Sequence, residues 1–292
     1  MLRHARRFVG LVSLCICAAA GAPHAQAGST WLERLNFYRA TALLPPVVED
    51  SALSGAVRRH AHYMVMHEVI KHSENRRDTG ATPEGAAAAA VSNLAGSTLP
   101  AETDTWAVDL WMQAPFHALG MLDPSLKRVG FGIEHAHTGK IQTAAGLDVI
   151  RGRNAPASSA LYPIMWPANG ASVPLTVHVA EYPSPLTSCP GYQVPTGLPL
   201  ILQLGSSGKA LHVTHSWIME GDRVLEHCVF DGRTYRNPDA AEQQVARRIL
   251  AARDAIVLIP RQPLRAGSHY RAVVEVNGRL IDWTFGVTRG SL

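Results

Sequence analysis

The chain has 292 residues, 47% of them apolar and 17% charged, with 24 Gly and 19 Pro that follow no fixed period. This excludes a disordered chain and a collagen-like one, and the length suits one large domain or two ordinary ones. The formal charge is +4, but Arg3, Arg6 and Arg7 lie in a segment expected to be removed, which leaves about +1 and no case for a nucleic-acid partner.

Those three arginines precede an apolar run from Phe8 to Ala20, too short to span a bilayer and of the length of a signal-peptide core. Ala25-Gln26-Ala27 supplies a small-x-small cleavage site. Residues 1–27 are therefore expected to be a signal peptide, and the protein to be secreted or periplasmic after cleavage near Ala27. Leu14 and Ile16 precede Cys15 and Cys17 where a lipoprotein needs a small residue. No later apolar stretch is long enough for a transmembrane segment in the mature protein. Cys189 and Cys228 remain. In an exported protein an even pair suggests a disulfide, and two buried free thiols are the alternative.

Residues 31 to about 128 read as helical. Trp31, Leu35 and Tyr38 share one face of a first helix, which Pro45-Pro46 stops. Asp50 or Ser51 can cap a second, with Leu53, Val57, His60, Ala61 and Met64 at helical spacing. Thr82-Pro83 reads as an N-cap and first-turn proline, opening an alanine-rich helix. Val108, Trp111 and Met112 form a further stripe ended by Pro115. The period then changes, and Val129 to Ile133 and Ala144 to Ile150 read as strands.

Seven prolines from Pro156 to Pro190 mark residues 153–190 as a Pro-rich linker or an irregular edge. Beyond it strands are expected at Leu198 to Leu204, Leu211 to Met219, Val224 to Phe230 and Ala255 to Ile259, with one helix from Ala240 to Ala252. Asn277-Gly278 is the preferred two-residue type I′ turn, and it sets a register that pairs Val276 with Arg279, Val274 with Ile281, Ala272 with Trp283 and Tyr270 with Phe285. Three of these pairs are apolar on one face, which points to a small antiparallel β-sandwich.

Familiar catalytic motifs fail. There is no G-x-S-x-G element, and Gly205-Ser206-Ser207-Gly208-Lys209 lacks P-loop spacing. His67 and His72 are five apart, about 140° of rotation on a regular helix, so they cannot share a metal from one face. Of the histidines, His60 lies on the apolar stripe and reads as a hydrogen-bonded core residue, while His62 and His67 read as solvated. His72 is placed at a helix end, where the dipole favours a cation. His117 follows Ala114-Pro115-Phe116 on a fresh turn, and loop-borne histidines are often functional.

The ordered set Leu35-Asn36-x-Tyr38-Arg39, His60-Ala61-x-Tyr63-Met64, His72-Ser73-Glu74 and Trp111-Met112-Gln113-Ala114-Pro115-Phe116-His117 resembles the bacterial branch of the CAP superfamily, over roughly residues 30–150. The second half, with Cys189-Pro190-Gly191-Tyr192 and Cys228-Val229-Phe230-Asp231, is similar to the Ig-like domain that follows the CAP domain in some bacterial proteins. The resemblance implies an α+β protein: a CAP-like α-β-α sandwich over residues 28–152, then an antiparallel Ig-like β-sandwich over residues 191–292. It also implies a central cleft where two histidines and two glutamates can hold a divalent metal. His72 and His117 match the histidines. The glutamates transfer badly: the family's Gly-Glu-Asn element stands here as Gly85-Ala86-Ala87, with Glu84 the nearest carboxylate, and Gln113 and Ala114 occupy the other position. Glu84 has a competing reading as a first-turn acid on the helix dipole.

His72, His117 and Glu84 are accordingly the candidate ligand-binding residues. His72 and His117 are also the candidates for an ion such as zinc, although no cofactor is required. The function implied is an exported, non-catalytic module that binds a lipid, a sterol or a cell-envelope component. Two alternatives stand beside it. One is an envelope adhesion or scaffold protein with a vestigial cleft; the other is a weak metal-dependent hydrolase in which Glu74 or Glu84 activates water.

Overall fold

In the first half, local caps decide where helices begin. Thr30 and Glu33 form a reciprocal capping box that opens α1 (Trp31–Ala40). After β1 (Val48–Glu49), the Asp50 carboxylate accepts from the amides of Ala52 and Leu53 and starts α2 (Ser51–His67). Thr82 caps α3 (Pro83–Ala89) by accepting from the Gly85 amide. There follow β2 (Ser92–Ser97), α4 (Asp104–Met112), α5 (Pro115–Met121), β3 (Arg128–His135) and β4 (Thr143–Asp148). The computed structural model describes residues 30–154 and 161–290, so the expected signal peptide lies outside the described residues.

The four strands form one sheet in the order β1-β3-β4-β2, with β1 parallel to β3 and the other pairs antiparallel. α2 lies across β3 and β4, and glycines allow it to come close. A Cβ at Gly132 would overlap the backbone of Arg58, and one at Gly146 would come within 2.7 Å of Val57. The opposite face carries Phe131, stacked on Trp31 at 5.0 Å and meeting Trp111 edge-on at 6.5 Å. Trp111 also donates its indole N–H to the Leu94 carbonyl, fixing α4 to β2.

The second half contains β5 (Ile164–Trp166), β6 (Ser172–Val173), β7 (Val177–His178), β8 (Thr196–Gly197), β9 (Leu200–Gln203), β10 (Val213–Glu220), β11 (Arg223–Val224) and β12 (His227–Asp231). α6 (Ala240–Ala251), β13 (Ala255–Pro260), β14 (His269–Val276) and β15 (Arg279–Val287) complete it. One sheet runs β11-β10-β14-β15-β6 and a second β12-β13-β9-β5, with β7 and β8 as a separate ribbon. The architecture is thus mixed α and β with several sheets. The β14–β15 register matches the expected pairing from Val276↔Arg279 to Tyr270↔Phe285. Its inner face buries Ala272, Val274, Trp283 and Phe285, while Arg271 and Asp282 pair on the outer face. The Cys189–Cys228 disulfide is present.

Of the two readings of the proline-rich stretch, the described part matches the irregular edge and not the linker: it is woven into both sheets of the second half. β5 pairs with β9, and β6 pairs with β15. Both are edge strands, the places in a sheet where flanking prolines cost no ladder hydrogen bond.

One continuous cluster of buried apolar side chains runs from Leu35 through Phe116, Trp166 and Ile256 to Phe285. Polar contacts cross the same boundary. Trp166 donates to Thr41, Gln203 donates to the Leu122 carbonyl at 3.1 Å, and Arg253 meets Asp123 at 2.8 Å in a buried ion pair. Phe116 packs edge-on against Tyr235 at 5.4 Å. No helix among the described residues is long and apolar enough to cross a membrane.

Candidate ligand-binding cleft

α2 ends at Glu68 in a left-handed C-cap (φ 52°), which throws the next residues off the helix axis. His72 therefore stands on the following loop rather than at the helix terminus. Two buried contacts hold this loop. Tyr63 donates to Asp78 at 2.6 Å, and Glu74 meets His60 Nδ1 at 2.9 Å with both side chains only 1% exposed. His60 Nε2 faces the Lys71 carbonyl at 2.9 Å. The His60 ring thus bridges the Glu74 carboxyl group and the Lys71 carbonyl, tying the loop to α2. The other Glu74 oxygen accepts from the Thr82 amide at 2.8 Å.

His72 Nδ1 faces the Ala89 carbonyl at 2.9 Å and so carries the proton, which leaves Nε2 as an acceptor. The expectation of a dipole-favoured cation does not hold for this ring. Its edge stays open to the cleft, but partial burial pulls its pKa below the ordinary histidine value; charge on His117 and His60 acts in the same direction. As pH falls below about 6.5 the unfolded chain then takes up more protons than the folded one, and the fold loses stability. We expect His72→Asn to show a smaller drop in melting temperature between pH 7 and pH 5 than the parent; equal drops would contradict this origin.

His117 sits on the first turn of α5, a helix that Pro115 opens, and not on the loop expected after a helix stop. Its Nδ1 lies 2.6 Å from Glu181 Oε1, and its amide donates to the same oxygen at 2.7 Å. The Phe116 amide donates to the second oxygen at 3.1 Å. The Glu181 side chain is fully buried, so one carboxylate both caps α5 and fixes the tautomer of His117, with Nε2 left free. Sequence reasoning missed Glu181. It lies 64 residues from its partner in a stretch with no periodic signal, and no local pattern points to it.

His72 and His117 line the same cleft, of about 680 Å³. Glu84 does not line it; Glu84 is exposed on the first turn of α3, where the helix dipole favours a carboxylate. Glu74 is committed to His60 and Thr82. The far wall is α6, which Asp239 caps by accepting from the amides of Ala241 and Glu242. Ala241, Glu242, Val245, Arg248, Ile249 and Ala252 recur at helical spacing along this wall. The near wall includes Val91, Phe116, Val149 and Ile150. Sequence predicted the helix but not which face closes a cleft.

A catalytic zinc draws on three protein ligands and a structural one on four. Among the described residues no three His, Cys, Asp or Glu side chains are so grouped. Two imidazoles alone do not fit a resident ion, and no step is assigned to one. The chemistry on offer is an apolar slot with two hydrogen-bonding imidazole nitrogens on its floor and charged groups at its ends.

No curated protein matches the chain. A solved structure that it resembles in part is that of an extracellular protein containing a SCP domain from Bacillus anthracis str. Ames. The identity is 15% and the TM-score 0.31, over 40% of this chain and 38% of that one. This chain thus spans well under half the length of that relative. Residues 32–143, which hold α1 to α5 and both cleft imidazoles, match the family model described as CAP, the cysteine-rich secretory protein family.

Proposed function

We propose that the protein is an exported, non-catalytic CAP-type module that holds a lipid, a sterol or another apolar envelope component in the cleft between residues 32–143 and α6. In this reading, residues 28–152 form an α-β-α sandwich and residues 191–292 an Ig-like β-sandwich, and residues 1–27 are cleaved as a signal peptide. The family match and the disulfide support export.

The cleft itself carries the proposal. About 680 Å³ lies between two predominantly apolar walls, within the range of small-molecule sites. Glu84 does not line the cleft, so His72 and His117, beside Ser92 and Asn93, are the polar contacts this reading uses. Native mass spectrometry of protein exported by its own leader should show a bound lipid-sized species. Ile249→Trp, which fills the slot from α6, should reduce its occupancy at least fivefold. Ligand-free protein after exposure to sterols, fatty acids and envelope lipids would overturn the reading.

A further inference from the structure

The two ends of the cleft carry opposite charge. At the α6 N-terminus stand Asp239 and Glu242; at its C-terminal end stand Arg248 and Arg253, with Arg153 on the facing segment. Glu242 and Arg248 are six residues apart on one helix, about 9 Å along its axis.

The basic end is not neutralised by the protein. Arg253 and Arg153 share a single oxygen of Asp123, at 2.8 and 3.2 Å. Arg248 makes no ion pair among the described residues, and the buried Asp148 pairs with Arg151 while its charge also bears on Arg153. Arg153 and Arg253 thus share Asp123, and Arg248 adds a further guanidinium to the same end of the cleft. Burial pushes the Asp123 carboxyl up, but Arg253, Ser125 and Arg153 together hold it below the usual value. Burial, and then the charge of Arg253, lowers the Arg153 pKa. Arg253 Nε is also buried without a hydrogen-bond partner.

From this we infer that the cleft takes a single-chain amphiphile with an anionic headgroup, the acid group lying against Arg248 and Arg153. The chain runs between Val245 and Ile249 on α6 and Phe116 and Val149 opposite. The inference rests on the ligand-binding reading above and narrows it. An uncharged sterol hydroxyl would leave the excess positive charge uncompensated. The carboxylates at the other end repel an anion there, so the same gradient selects one orientation. The recognition chemistry is an oxyanion on guanidinium, which a fatty-acid carboxylate and a lysophospholipid phosphate both supply.

Displacement of a fluorescent polyene fatty acid from the full exported chain tests this, with palmitate, palmitoyl lysophosphatidate, methyl palmitate and cholesterol as competitors. Palmitate or lysophosphatidate should bind at least tenfold tighter than methyl palmitate, and the tighter of the two identifies the headgroup. Arg248→Gln, a change at an exposed position, should erase at least tenfold of that preference by weakening the acids far more than methyl palmitate. Equal binding of acid and ester, or tighter binding of cholesterol, would overturn the anionic headgroup while leaving the cleft as a ligand site. If neither chains nor sterol bind, the ligand-binding reading fails with it.

Discussion

Glu74→Ala should destabilise the protein by about 2–4 kcal/mol, because it leaves two buried polar groups without a partner. The loss is large because three groups depend on this carboxylate. His60 Nδ1 would lose its buried partner, the Thr82 amide would lose its acceptor, and the loop bearing His72 would lose its anchor to α2. Gly85 leaves the space that Glu74 occupies, since a Cβ there would overlap its carboxylate. Glu74→Gln keeps an acceptor for one neighbour and should lose less. Urea unfolding followed by tryptophan fluorescence measures both variants. A loss below about 1 kcal/mol for the alanine variant would mean that the pair does not form.

Glu181→Ala should cost about 2–4 kcal/mol, because it orphans two backbone donors at the start of α5 as well as the His117 ring. The effect reaches the cleft. Without the carboxylate, nothing holds the proton on Nδ1, and the ring can turn or change tautomer. Nitrogen-15 NMR should show one fixed tautomer at His117 in the parent and a mixture in the variant. Unchanged ring signals would show that Glu181 is only a helix cap. Amide exchange at Phe116 and His117 should accelerate in the same variant.

What could be read ahead of the structure was local or periodic. The register of β14 and β15 follows from a two-residue turn and alternation, and every pair from Tyr270↔Phe285 to Val276↔Arg279 is formed. Thr82-Pro83 gave the start of α3, and Asp50 the start of α2. The histidine pairing was legible only through the order of short motifs along the chain. It was enough to bring His72 and His117 to one cleft but not to find their supports. The carboxylates that meet His60 and His117 are Glu74 and Glu181; neither is the residue beside Gly85 that the motif suggested. Proline density left linker and edge open for β5 and β6, because a proline count does not separate the two. The excess charge around Asp123 was invisible for a related reason: it joins residues 123, 153 and 253, which meet only when both halves share a core.

That shared core has an evolutionary corollary. The side chains of Val245, Arg248 and Ile249 face the slot and take no part in the hydrogen bonds or ion pairs that join the halves, whereas Phe116, Arg253 and Asp123 do the joining. Substitutions along a single stripe of one helix can therefore retune which molecule is carried, while the frame that presents it drifts hardly at all.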